Sequence, residues 1–161
     1  MNNHGQRATM RERTIWALTF ALTLLSCSWL DRSDERLTRE LANAIESRRA
    51  DPNAELVLDQ VTNFNSERVF LFPPYTPTSA ITEALGFPWE GADRTGIATR
   101  DDIVLLVFVT GRRVVRFSEF PRSLGDFSEI EFGRGLSPAD AKFRVELNGT
   151  GRTVIRLAST K

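Results

Sequence analysis

The 161-residue chain holds one histidine, His4, and one cysteine, Cys27. Beyond position 27 there is no imidazole and no thiol, so Ser-His-Asp and Cys-His nucleophile systems and His- or Cys-ligated metal sites have no members to draw on there. A Ser-Lys system needs S-x-x-K, but the only lysines, Lys142 and Lys161, follow Ala139 and Ala158 at that spacing. Gly91 to Gly96 has the spacing of a phosphate loop, with Ile97 where the phosphate-neutralising lysine belongs. Gly133-Arg134-Gly135 begins like a dinucleotide fingerprint, with Pro138 in place of the third glycine. Asn148-Gly149-Thr150 matches the N-glycosylation pattern and is read as a turn. The remaining acid-base groups are carboxylates: Asp101, Asp102, Asp126, Glu129 and Glu131. On a strand, Glu129 and Glu131 share one face about 7 Å apart, as a glycosidase-like pair or weak cation site would; the plainer reading is a solvated outer face. No catalytic residue, metal or cofactor is expected, and the body reads as a non-enzyme.

Two groups suit binding instead. Arg112, Arg113 and Arg116, joined by Arg122, predict a small basic patch for phosphate head groups or an acidic partner, against the alternative of solvated charges. Phe72-Pro73-Pro74-Tyr75 and Phe87-Pro88-Trp89 place Tyr75, Phe87 and Trp89 on proline-stiffened backbone at the two ends of one short helix. Rigid aromatics lose little entropy on contact and make good anchors, whereas the same residues would also fold back on the helix as ordinary packing.

Arg7, Arg11 and Arg13 precede an uncharged stretch from Thr14 to Leu30 with an apolar heart at Ile15 to Leu25. That stretch runs into Leu24-Leu25-Ser26-Cys27, which resembles the lipobox of bacterial lipoproteins. The resemblance implies a signal peptide over 1–26, lipidation of Cys27 and a short tether over 27–32. It also implies a bacterial cell-envelope location, lipid-anchored and, with Ser28 after the cysteine, at the outer membrane facing the periplasm. Two or more acyl chains, at about 0.8 kcal/mol per buried methylene, anchor stably where one does not. An uncleaved signal anchor and an ordinary secretory signal with a bystander thiol remain alternatives. Three of the 21 basic residues and one of the 21 acidic residues precede Cys27, leaving 18 against 20 and arguing against nucleic acid as a partner.

The elements that must position these groups follow from punctuation and period. Asp31, Ser33, Asp34 and Glu35 signal a helix N-terminus, Leu37, Leu41, Ala44 and Ile45 form its apolar stripe, and Arg48-Arg49 close it: a helix over 33–49. Leu56 to Phe64 and Arg68 to Phe72 read as a hairpin turning at Asn65-Ser66. Thr76 as cap, Pro77 as first residue and Gly86 at the end predict a second helix over 77–85. Ile103 to Val109, apolar throughout, reads as a strand buried on both faces. Arg113 to Phe117, Phe127 to Phe132, Lys142 to Leu147 and Thr153 to Leu157 complete the strands. The expectation is one α+β domain over 33–161: an antiparallel sheet of about six or seven strands with two helices packed on one face.

Residues 75–117, with Leu85-Gly86-Phe87-Pro88 ending a Thr-initiated short helix before antiparallel strands, resemble the small SmpA/OmlA-type outer-membrane lipoproteins; otherwise the chain looks like uncharacterised bacterial lipoproteins. The function expected is a membrane-anchored binding or structural module with an envelope protein partner. A periplasmic inhibitor or immunity protein, a carboxylate-dependent cell-wall glycan hydrolase and a signal-anchored membrane protein are the competing classes.

Overall fold

The computed structural model describes residues 33–51, 54–127 and 130–158. The signal segment, Cys27, the tether and Glu129 lie outside these residues. Helix α1, Glu35–Arg49, begins where the Asp34 carboxylate accepts the Leu37 N–H at 3.0 Å, and ends with Arg48 and Arg49 in its last turn, where cations suit the helix dipole. Its stripe Leu37, Leu41 and Ile45 is buried. Strand β1 (Glu55–Val57), the single helical turn α2 (Leu58–Val61), β2 (Arg68–Phe72) and α3 (Thr78–Leu85) follow. A 3-10 turn over Glu90–Arg94 precedes β3 (Ile103–Thr110), β4 (Arg113–Pro121), β5 (Lys142–Leu147) and β6 (Thr153–Leu157). Gly86 closes α3 at φ 75°, a left-handed conformation in which its N–H reaches the carbonyls of Thr82 and Glu83.

All pairings between strands are antiparallel, but they form two three-stranded sheets, β2-β3-β4 and β1-β5-β6. The expectation of one sheet is corrected accordingly. Alternate residues of β3 serve two cores. Val104, Leu106 and Phe108 join Leu37, Leu41, Ile45, Leu56, Phe120, Phe127, Phe143 and Ile155. Ile103, Leu105, Val107 and Val109 join Phe70, Phe72, Ile81, Leu85, Phe87, Ile97 and Phe117. Because α1 packs with the first set and α3 with the second, the two helices lie on opposite faces of the β2-β3-β4 sheet, not on one face.

Three further expectations are corrected. Leu56 to Phe64 is not one strand: β1 ends at Val57, Leu58 to Val61 coil into a helical turn, and β1 pairs with β5 instead of with β2. The described residues of Phe127 to Phe132 form no strand: the Ile130 N–H bonds back to the Phe127 carbonyl, and both apolar side chains are buried. Thr76 does not cap α3; its hydroxyl donates to the Pro73 carbonyl at 2.6 Å, and Pro77 occupies the cap position.

Candidate functional site

The β2-β3-β4 sheet has two distinct ends. At one lie Phe72, Leu105 and Glu119, paired across the strands, with Pro121 beyond them. The chain arrives there: the Ser33 hydroxyl accepts the Glu119 N–H, and the Asp34 N–H donates to the Phe117 carbonyl. At the other end the tight turn Gly111-Arg112 joins β3 to β4 beside Glu67 and Arg68.

The aromatic residues divide. Phe87 is buried in the second core, and its anchoring role is corrected to packing. Trp89 is half-buried, edge-on to Phe117 at 5.1 Å, and its indole lies over Gly91 so closely that a Cβ there would stand 2.4 Å from Nε1. Tyr75 alone projects, 61% exposed, from backbone at φ 63°. Left-handed backbone at a bulky residue costs about 1–3 kcal/mol and persists only where the surroundings dictate it. Here the Tyr75 N–H donates to the Ile97 carbonyl at 2.7 Å, and the Thr76–Pro73 bond closes the loop around it. Replacing Tyr75 by glycine is expected to raise stability by about 0.5–1 kcal/mol, the relief of strain exceeding the added entropy of the unfolded chain. Urea unfolding checks this; a loss of stability would mean that the ring is a packing element.

The arginines also separate. Arg112 lies over the Phe87 ring at 5.9 Å, on the side of the second core. Arg116 lies over Phe64 at 5.7 Å, on the side of the first core, and its Nε is 3.3 Å from the Asp34 carboxylate. Arg113 is exposed at the turn. Arg122 does not join this group: it sits past the far end of β4, where it grips Asp126 through two hydrogen bonds of 3.1 and 2.8 Å. A four-arginine patch is therefore not formed. What the tip does bring together by strand register is Arg68, Arg112 and Arg113, at the same end as Glu67, whose carboxylate accepts the Gly111 N–H at 2.9 Å. Arg68, which the sequence reading passed over, is brought in by β2–β3 register, a signal absent from local sequence.

The candidate carboxylates are engaged or solvated. Asp126, its side chain 5% exposed, faces Arg122 and, at 3.6 Å, Arg152. Asp102 binds Arg100 through two bonds of 2.8 and 2.7 Å, and that hydrogen bonding holds its carboxyl below the usual range. Glu131 is exposed. The Glu119 carboxylate accepts the Gly96 N–H and lines an open groove of about 390 Å³ with Ser33, Glu35, Thr38, Arg39 and Arg100. Among the described residues no group of three or more His, Cys, Asp or Glu is placed to hold a metal ion, and no helix is long and apolar enough to cross a membrane. The chain matches no protein-family model, no curated protein and no solved structure.

Proposed function

We propose that the chain is a bacterial cell-envelope lipoprotein, lipid-anchored through Cys27 and acting as a non-catalytic binding module. The observation that carries the binding role is the hairpin tip. Strand register brings Arg68, Arg112 and Arg113 to that end of the sheet, and the acid beside them in sequence, Glu67, is committed to a backbone N–H. This cationic tip is at the end of the sheet away from where the chain arrives, which suits an acidic envelope protein approaching from the side opposite the anchor. Engagement of Asp126 by Arg122 speaks against that carboxylate as the general acid or base of a glycan hydrolase.

The test has two arms. Labelling with an alkyne fatty acid is expected to mark the wild-type protein and not Cys27→Ser, which leaves the membrane fraction. Label on both, or membrane retention of an intact Met1 form, overturns the lipoprotein reading. The pair Arg112→Glu and Arg113→Glu is expected to weaken partner capture by about tenfold or more at unchanged melting temperature. Unchanged capture removes the tip from the binding surface. A tight complex with one secreted enzyme would move the protein to the inhibitor class.

A further inference from the structure

We propose that the end of the β2-β3-β4 sheet at which the chain arrives seats directly on the phospholipid bilayer, with Tyr75 and Leu124 entering the interfacial layer. The inference rests on the lipid anchor at Cys27 and adds an orientation to it. Only five residues separate Cys27 from Ser33, so Ser33 stands within about 20 Å of the acylated residue whatever path they take. Ser33 is fixed beside Glu119, and Asp34 beside Phe117, so the first described residue lies nearer the Pro121 end of β4 than the next.

Two large apolar side chains project at that end. Leu124, 44% exposed, is in the turn after β4, its N–H bonded to the Pro121 carbonyl. Tyr75, 61% exposed, is three residues past Phe72 and is tied to Ile97, whose neighbour Gly96 is held by the Glu119 carboxylate. One loop thus links the tyrosine to the strand beside which the chain arrives. Among the described residues the other exposed large hydrophobics, Leu147 and Leu157, belong to β5 and β6 in the second sheet.

The physical chemistry of the seat fits interfacial insertion better than charge attraction. Arg100 is paired with Asp102 and Arg122 with Asp126, so these cations are balanced where they stand. Tyrosine is amphipathic: its ring favours the apolar side of the boundary while its hydroxyl stays hydrated, which is why it gathers at membrane–water interfaces. A backbone held rigidly in a left-handed conformation presents the ring without further ordering cost. Zwitterionic lipid therefore suffices as the surface, and the cationic tip at the other end is left facing away from it.

Cys27 is the only cysteine, so in the acylated protein an introduced cysteine is the single free thiol. Full-length Tyr75→Cys, Leu124→Cys and Arg113→Cys would each carry a nitroxide after reconstitution into phosphatidylcholine vesicles. Power saturation then compares contact with oxygen, which concentrates in lipid, against a water-soluble nickel chelate. The expected result is an oxygen-to-nickel ratio several-fold higher at 75 and 124 than at 113, unchanged by high salt. Should one variant fail to fold, the other decides. Aqueous behaviour at all three positions in vesicle-bound, acylated protein overturns the seat and leaves the anchor standing. Lipid contact at 113 alone reverses the orientation and overturns it as well. Absence of acylation at Cys27 overturns both.

Discussion

Phe127→Ala is expected to cost about 4 kcal/mol of folding stability, the range for deleting a fully enclosed ring whose cavity cannot collapse. Phe127 is completely buried and stands edge-on to Phe120 and to Phe143, each at 5.7 Å. Phe120 belongs to β4 and Phe143 to β5, so this one ring joins the two sheets through a chain of aromatic edges. Its removal takes away transfer free energy and two aromatic contacts together. Phe127→Leu, which keeps most of the volume, is expected to lose less than half as much. Urea unfolding at constant m-value measures both. A loss below about 1 kcal/mol for the alanine variant would show that the sheets hold together without the ring.

Asp126→Asn is expected to cost about 3 kcal/mol, by a different route. The carboxylate is almost wholly enclosed, and its two bonds to Arg122 hold that guanidinium more basic than usual. Arg122 is only a quarter exposed and also donates to the Asp101 carbonyl at 2.8 Å, so it cannot swing into water without breaking a second contact. The amide leaves a cation facing a dipole where it faced a charge. Arg122→Met combined with Asp126→Leu should recover much of the loss, because neither charge is then stranded. If the double variant is no more stable than Asp126→Asn, the loss comes from the carboxylate's other contacts, Arg152 at 3.6 Å among them, and not from a stranded Arg122 charge.

The sequence made local elements legible and left their partners open. The stripe Leu37, Leu41 and Ile45 between an acidic cap and a basic end specifies α1 because every signal lies within one helix. The unbroken apolar run from Ile103 to Val109 announces a strand with two buried faces, and two cores do occupy them. Nothing in that run says which helix takes which face, and the pattern alone fits α1 and α3 on one side as well as on two. Leu56 to Phe64 misled because Leu58 and Val61, three apart, suit a helical turn as well as a strand, and because β1 finds its partner far along the chain. Phe127 and Ile130 have the same three-residue spacing and are joined by a backbone hydrogen bond. Of the candidate binding residues, Tyr75 is legible as a stiffened aromatic, and its exposure is a property of the loop to Ile97. Phe87 and Trp89 carry the same local signal but meet the second core and Phe117.

The pairing of β1 with β5 has a consequence in time. Glu55 lies opposite Arg144, 89 positions later, so a chain emerging amino end first completes β1 long before its partner exists. In that interval Leu56 and the inner stripe of α1 lack the Phe143 and Val145 surface that will cover them. The β3–β4 hairpin, closed by a two-residue turn, can form meanwhile, but closing the large loop to β5 waits until Lys142 to Leu147 are made and carries a high entropic barrier. Folding is therefore gated by β5 and β6, and a nascent chain spends its vulnerable period with one sticky edge waiting for those strands to be made.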